Sequence, residues 1–345
     1  MTNEQKTTIA TIDLVSPYNS PYNLYQMRVA YDYNPFKVIR NFTEKQATYK
    51  QYGVDQAAVR AVCEELNIPF QDSISFKPFG CTACNLIGDD GEVRMGRNYD
   101  FHADTSGMMV YNAPKSGYRS IAFAPLDNLN VTDPITDDEK TQERILFAPF
   151  ACVDGINENG VSVAVLVAGN KPYNPTRQYS HAANIFTTLL VRLVLDWSVS
   201  TRDAIDLLTR YNMFATGEYD YHFYINDAEG NGVVLEYDCD SATRECEAID
   251  KNVVTNFYVK YLQYVDDENK YGHGKKRYDA VLDVFDKEKG NYTNETVWRA
   301  LTATAQDAGG SDTSNTQWSV VYNNTQRTAD IVFRKNWSDT FTFTL

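Results

Sequence analysis

Residues Cys81 to Asp100 read CTACNLIGDDGEVRMGRNYD, and this stretch decides how the rest of the chain is interpreted. Largely apolar runs flank the segment Gly88-Asp-Asp-Gly91, whose glycines and aspartates are typical of a tight turn. A strand, a turn and a second strand in this order predict an antiparallel hairpin.

The same pattern of strand, turn and strand recurs further along the chain. The predicted pairs are 145–153 with 161–167, 221–225 with 233–237, and 317–322 with 328–333, each joined by an Asn- or Gly-rich turn. Apolar periodicity and capping residues predict helices over 55–66, 185–197, 200–208, 277–285 and 295–305, whereas 18–33 is tyrosine-rich and irregular. Hairpins imply antiparallel sheets, and apolar helices that could cover them indicate a layered α/β sandwich.

Charge and composition restrict the class of partner. The chain has 345 residues and a formal net charge of −14. Nucleic acids and anionic membranes bind clustered Lys and Arg, which this sequence does not concentrate anywhere. We therefore expect no nucleic-acid and no membrane partner, and small molecules as ligands. A homo-oligomer is compatible with the composition.

The sequence also bears on location. Met1 to Ala10 are polar, and no later stretch approaches the roughly 20 apolar residues of a membrane span. The chain as given is expected in the cytoplasm, and a protein whose natural leader had been trimmed would be secreted or periplasmic. Its 6 cysteines are too dilute for a disulfide scaffold.

The Cys81-x-x-Cys84 spacing has several interpretations: a redox pair, half of a zinc site, or a nucleophile with an incidental neighbour. Zinc needs four ligands, and the histidines are scattered and unpaired. A redox pair usually begins a helix, whereas residues three apart on a strand point to opposite faces. We interpret Cys84 as a buried core cysteine.

The whole stretch 81–100 resembles the first hairpin of the choloylglycine hydrolase family, which contains bile salt hydrolases, penicillin V acylases and related linear-amide hydrolases. Shorter segments resemble further family motifs in the same order: Asp154-Gly-Ile-Asn-Glu-Asn-Gly160, Val254-Thr-Asn256, Arg277-Tyr278 and Thr316-Gln-Trp318. The resemblance covers residues 81–345, and mature chains of the family begin at the cysteine.

This resemblance implies an α+β fold, the N-terminal-nucleophile (Ntn) hydrolase αββα sandwich of two antiparallel sheets flanked by helices. Bile salt hydrolases lack a long leader, whereas residues 1–80 precede Cys81 here. That arrangement is similar to the self-processing branch, which includes some penicillin acylases, acid ceramidase and the isopenicillin acyltransferases. It implies a pro-segment over 1–80, a catalytic domain over 81–345, and autocatalytic cleavage between Gly80 and Cys81.

The resemblance also assigns roles around the nucleophile. Cys81 would attack the amide carbonyl, and its own α-amino group, with a reference pKa of about 8, would take the thiol proton after cleavage. Asp100 would orient that amine, and Arg97 would favour the thiolate. Without the resemblance, Asp100 and Arg97 could be a plain ion pair at a strand end.

The remaining roles concern the oxyanion. Asn256 would donate its side-chain amide to it, beside the backbone N–H of Val167, where the family usually has asparagine. Arg277 would connect the site electrostatically, although in the run Lys275-Lys276-Arg277 it could equally be a solvated helix residue. No cofactor and no metal are implied.

The predicted activity is hydrolysis of a linear, non-peptide amide bond in a small N-acyl substrate. The acyl group and the leaving amine stay open, and an acyltransferase of the same fold is the first alternative. A redox or metal-binding protein that uses Cys81 and Cys84 is the second. A catalytically inactive binding protein that keeps its leader uncut is the third.

Overall fold

Two facing β-sheets form the centre of the structure. It is a computed structural model that describes residues 12–16, 22–46, 49–170, 175–266, 270–309 and 314–345, without the side chains of 46 and 49–52. The strands are β1 Ile12–Ser16, β2 Leu24–Arg28, β3 Gly80–Ile87, β4 Val93–Asp100, β5 Gly107–Asn112, β6 Ser120–Pro125, β7 Asp154–Asn157, β8 Ser162–Val167, β9 Asn184–Phe186, β10 Asn212–Phe214, β11 Tyr221–Asn226, β12 Gly232–Tyr237, β13 Cys246–Asp250, β14 Val253–Val254, β15 Thr316–Asn323, β16 Thr328–Phe333 and β17 Phe341–Thr344.

Most neighbouring strands in these sheets are antiparallel. Within the described ranges, the larger sheet has 9 strands in the order β1-β2-β5-β6-β7-β8-β11-β12-β13, and the smaller has 6 in the order β14-β3-β4-β15-β16-β17. The pair β2 and β5 is the parallel exception in the larger sheet. Strands β9 and β10 form a short parallel pair outside both sheets.

Helices cover the outer face of each sheet. The helices of the described ranges are α1 Pro35–Gln46, α2 Tyr49–Leu66, α3 Glu139–Ile145, α4 Thr187–Trp197, α5 Thr201–Leu208, α6 Lys275–Lys287 and α7 Asn294–Thr304, with 3-10 helices at Ala148–Phe150 and Val259–Tyr264. Helix α4 packs on β7 and β8 and α5 on β11 and β12, while α6 and α7 pack on β3 and its neighbours in the smaller sheet. The layers are therefore helix, sheet, sheet and helix, as the αββα sandwich requires.

Two apolar clusters fill the spaces between the layers. The larger one lies between the sheets and under α4, and the smaller one lies between the smaller sheet and helices α6 and α7. None of the helices in the described ranges is both long enough and apolar enough to cross a membrane.

The sequence-based prediction of a strand over 145–153 is wrong. Helix α3 ends at Ile145, a 3-10 turn occupies Ala148–Phe150, and the strand begins only at Asp154. Every residue from Ile145 to Val153 is apolar and buried, so the run shows no alternation between apolar and polar residues. A short apolar run without alternation does not distinguish a strand from a buried helical turn.

The chain before residue 80 is part of the sandwich. Strand β2 lies inside the larger sheet between β1 and β5, in the region 18–33 that the sequence left without a regular element. Asp133 accepts hydrogen bonds from the Asn23 side chain at 2.5 Å and from the Tyr25 hydroxyl at 3.1 Å. Helices α1 and α2 pack on each other, and α1 also packs on α4. The division into a pro-segment and a catalytic domain at residue 80 stays a prediction.

A glycine in β4 lets helix α7 approach the smaller sheet. A Cβ atom at Gly96 would lie 2.5 Å from Cγ1 of Val297. We expect Gly96→Ala to lower the free energy of unfolding by about 1–3 kcal/mol through overpacking. Val297→Ala in the same chain should restore part of that loss, because it removes the atom in conflict. Denaturant unfolding of the two single variants and the double variant measures both effects, and additive losses would contradict the packing argument.

Candidate active site

The hairpin of β3 and β4 places Cys81 on one strand and Arg97 and Asp100 on the adjacent one. Cys81 is paired with Tyr99, Ala83 with Arg97, and Gly80 with Asp100. Alternation along β3 directs Cys81 into the cluster between the sheets and Cys84 into the cluster under α6 and α7. Both cysteines are free thiols. The two thiols lie on opposite faces of one strand, which does not suit a redox pair.

The Cys81 thiol faces a guanidinium group. Nη2 of Arg97 lies 3.2 Å from Cys81 Sγ, and the Val165 carbonyl is 3.8 Å from the same sulfur. Cys81 has no solvent-exposed surface. Burial raises the pKa of the Cys81 thiol to about 11, although the charge of Arg97 favours the thiolate. In the uncut chain the group is therefore a protonated thiol at neutral pH.

Arg97 connects the two sheets at this point. It lies on β4 in the smaller sheet, and its Nη1 forms an ion pair with Oδ2 of Asp154 on β7 in the larger sheet. Its Nη2 also donates to the Val165 carbonyl at 3.0 Å. The Tyr322 hydroxyl donates to the other carboxylate oxygen of Asp154.

Asp154 is the first residue of the turn motif Asp154 to Gly160, and the sequence alone indicates no further role for it. It is a fully buried anion at the centre of the sandwich. The available signal was a single acidic residue after the apolar run that ends at Val153, since an acid in such a place is rarely buried without a cation.

Asn256 holds the backbone of Cys81. Its Oδ1 accepts from the Cys81 N–H at 2.9 Å and from Arg277 at 2.7 Å, and its Nδ2 donates to the Val167 carbonyl at 2.8 Å. The structure thus brings Asn256 and Val167 to the site together. The Asn256 amide is already paired in the uncut chain, so its role as an oxyanion donor with the Val167 N–H stays a prediction.

Arg277 reaches the site from the first turn of α6. It donates to the Cys81 carbonyl and, at 3.0 Å, to Oγ1 of Thr82, and it lies 3.8 Å from Oδ2 of Asp100. Its side chain is only 12% exposed. Burial lowers the pKa of Arg277, and the neighbouring Asp100 and Cys81 oppose that shift. Arg277 is therefore placed against Cys81 rather than in solvent.

Asp100 is buried and held by two donors. Oγ1 of Thr316 and Nε2 of Gln306 each donate to one of its oxygens at 2.6 Å. Burial raises the pKa of Asp100, and Arg277 and the two donors oppose the shift. The Cys81 N–H bonds to Asn256 rather than to Asp100, so orientation of an α-amine by Asp100 stays a prediction for the cleaved chain. Gln306, which lies outside the motifs, gave no sequence signal.

Phe79, two residues before Cys81, packs among aromatic rings. The ring of Phe79 lies 5.1 Å from that of Tyr99 and 5.9 Å from that of Tyr221, measured between centroids. A cavity that holds barely one water molecule lies beside Phe79 and Val165. Because Cys81 has no exposed surface, a substrate cannot reach it in this structure. Within the ranges described, no group of His, Cys, Asp and Glu side chains is placed to hold a metal ion.

The contacts of Arg277 predict that it contributes more to the free energy of unfolding than the neighbouring Lys276. We expect Arg277→Ala to lower the free energy of unfolding by about 2–4 kcal/mol, because charge-assisted hydrogen bonds to buried acceptors are lost. Lys276→Ala is the matched control, since Lys276 is exposed, and it should change stability by less than about 0.5 kcal/mol. Denaturant unfolding of both variants tests this, and equal losses would contradict the placement.

Comparison with solved structures shows the same architecture. Two single-residue variants of the conjugated bile acid hydrolase from Clostridium perfringens align with a TM-score of 0.57 and 15% identity, over 76–77% of this chain and 92% of theirs. Penicillin V acylase from Agrobacterium tumefaciens aligns with a TM-score of 0.52 and 15% identity, over 77% of this chain and 86% of its own. The Ntn-hydrolase αββα sandwich predicted from the sequence is therefore confirmed.

Comparison of the sequence gives the family. Among curated proteins, none matches this chain. The family model for acyl-coenzyme A:6-aminopenicillanic acid acyl-transferase matches residues 87–337, a range that begins after Cys81 and includes Arg97, Asp100, Asn256 and Arg277. The predicted resemblance to bile salt hydrolases, penicillin V acylases and isopenicillin acyltransferases is confirmed. The chain belongs to the acyl-coenzyme A:6-aminopenicillanic acid acyl-transferase family.

Proposed function

We propose that this protein is a cysteine amidase of the Ntn type, which cleaves itself between Gly80 and Cys81 and then hydrolyses the linear amide bond of a small N-acyl substrate. The observation that carries the proposal is the contact of the Cys81 thiol with Arg97 at 3.2 Å, at the residue that cleavage would make the first of its chain. The fold shared with a bile acid hydrolase and a penicillin V acylase supports the reaction class.

Self-cleavage needs only groups that the chain supplies and water. Sγ of Cys81 attacks the Gly80 carbonyl carbon, the thiol proton passes to the amide nitrogen, and the C–N bond breaks as the C–S bond forms. Water then hydrolyses the thioester and leaves a Gly80 carboxylate and a free thiol. The N–H of Cys81 already points at Asn256 Oδ1, so the new α-amine would begin in a fixed position.

Cleavage would supply the base for the second reaction. Gly80 is paired with Asp100 across β3 and β4, so the α-amine would form beside that carboxylate. A neutral α-amine has a reference pKa of about 8 and can take the proton of the adjacent thiol. The thiolate would attack the substrate carbonyl, and the protonated α-amine would return its proton to the leaving amine of the substrate as the C–N bond breaks. Water would then hydrolyse the acyl thioester on Cys81 and release the acid. Movement of Phe79 away from Tyr99 and Tyr221 after the cut would open an apolar place for the acyl group.

Cleavage is tested by the mass of the intact protein. We expect the wild-type chain to convert to species that correspond to residues 1–80 and 81–345, because the thiol attacks the Gly80 carbonyl. Cys81→Ala should stay full-length. Cys84→Ala, which removes an equally buried thiol on the opposite face of the same strand, should still be cut. A wild-type chain that stays full-length while it hydrolyses an amide would contradict the cleavage step.

The substrate class is tested with a panel of amides: conjugated bile acids, phenoxyacyl lactams, N-acyl amino acids, N-acyl lactones and fatty acid amides. We expect the cleaved protein to release the amine from at least one class. Cys81→Ala, made directly as residues 81–345 combined with residues 1–80, should lose at least about 10³-fold in kcat, as removal of a nucleophile does. Activity that survives this substitution would show that Cys81 is not the nucleophile.

Transfer of the acyl group to an amine is the second candidate, because the matched family is that of an acyl-transferase. The thioester between the substrate's acyl group and Cys81 would then react with 6-aminopenicillanic acid or another amine rather than with water. Adding an amine to the assay separates the two outcomes, because a transferase forms the new amide at the expense of the free acid.

A further inference from the structure

The guanidinium of Arg97 is held at two ends. Arg97 has no exposed surface, and a charge in that position needs an anion nearby. Nη1 pairs with Asp154, while Nη2 contacts the Cys81 thiol and the Val165 carbonyl. One group therefore contacts both a carboxylate on the larger sheet and the nucleophile on the smaller one.

We propose that Asp154 and Tyr322 are positioning residues that fix the Arg97 guanidinium against the Cys81 thiol. The proposal rests on the proposed function, because it assigns these residues a part in the chemistry of the same thiol. Neither residue touches the sulfur, so both would act through Arg97.

Geometry supports this division of roles. A guanidinium is planar and rigid, so an anchor on Nη1 also sets the direction of Nη2. Without the carboxylate, Arg97 could turn about its side chain and lose the 3.2 Å contact with the sulfur. The Val165 carbonyl alone is a neutral acceptor and would hold the group less strongly.

Tyr322 holds the anchor itself. Its hydroxyl donates to Oδ1 of Asp154, which leaves Oδ2 directed at Arg97. Tyr322 lies on β15, which pairs with β4, and it is fully buried. Two side chains of the smaller sheet, Arg97 and Tyr322, therefore both contact Asp154 of the larger sheet.

The other charges near the thiol do not replace this anchor. Asp100 opposes ionisation of Cys81, whereas Arg97 and Arg277 favour it. Arg277 is committed to the Cys81 carbonyl, Thr82 and Asn256 on the backbone side. Arg97 is the cation whose nitrogen contacts the sulfur itself.

The chain contains a matched control. Arg192 and Asp196 form an ion pair with a 2.6 Å contact and at most 1% exposure, and the Tyr33 hydroxyl donates to the same aspartate at 3.3 Å. This set has the same residue types and burial as Tyr322, Asp154 and Arg97, but no contact with Cys81. Its substitution should change stability without changing the thiol.

The experiment measures the pKa of the Cys81 thiol from the pH dependence of its alkylation by a small reagent, located by peptide mass spectrometry. Asp154→Ala should raise that pKa by about one unit or more, which is at least a tenfold loss of thiolate at neutral pH. Tyr322→Phe should shift it in the same direction by less. In the cleaved protein, kcat should fall with the thiolate fraction while KM stays within about twofold.

Asp196→Ala and Tyr33→Phe should leave the thiolate fraction of Cys81 at neutral pH and kcat within about twofold of wild type, even where they lower the melting temperature. A Cys81 pKa that is unchanged or lower in Asp154→Ala would overturn the proposal, because Arg97 would then keep its place without the carboxylate. Equal shifts in the control variants would overturn it as well, since they would reflect general loss of packing.

The outcome stays readable if a variant does not fold or if the proposed function fails. Tyr322→Phe and Asp154→Asn keep the size of the side chain and serve where Asp154→Ala does not fold. In the full-length chain, where Cys81 is buried, the titration is followed instead by the 13C chemical shift of the Cys81 Cβ, which needs no reagent access, no cleavage and no amide hydrolysis. If the protein has no amidase activity but its Cys81 pKa rises in Asp154→Ala, the proposed function is refuted, whereas the positioning role of Asp154 is supported.

Discussion

The ion pair between Arg97 and Asp154 is the interaction on which the rest of the site depends. It joins β4 of the smaller sheet to β7 of the larger one across the interior of the sandwich. Two charges in such a place are costly unless each finds its partner with good geometry, so the two sheets can meet here in essentially one relative position. That position puts the Val165 carbonyl and the Cys81 thiol on either side of the same guanidinium. The proposed chemistry and the assembly of the two sheets thus use the same contact.

Much of the fold could be predicted because local signals and tertiary packing agree in the hairpins. The turn Glu229-Gly-Asn-Gly232, flanked by apolar runs, marks β11 and β12 within a residue of their ends. The run 145–153 was assigned wrongly because it is buried on all sides, so its composition carries no period. Strand β2 was missed for another reason: its partner β5 follows about 80 residues later, and parallel pairing over that distance leaves no local pattern.

In the site, too, residues within sequence motifs could be predicted, whereas residues identified only by their spatial contacts could not. Cys81, Arg97, Asp100, Asn256 and Arg277 all sit in segments that resemble family motifs, and the structure brings them within hydrogen-bonding or ion-pair distance of one another. Gln306 and Tyr322 could not be found this way, because each acts by holding a carboxylate that belongs to another strand. Such residues are identified by what they contact in space, and one sequence does not contain that information.

The parallel pairing of β2 with β5 has a consequence for the thermodynamics of the protein. Strand β2 lies before residue 80 and is an interior strand of the larger sheet, with β1 on one side and β5 on the other. A cut after Gly80 would leave the sheet intact but remove the covalent link between its strands. Unfolding of the cleaved protein would then release two chains rather than one. Its apparent stability would rise with protein concentration, as for a heterodimer, whereas that of the uncut chain would not.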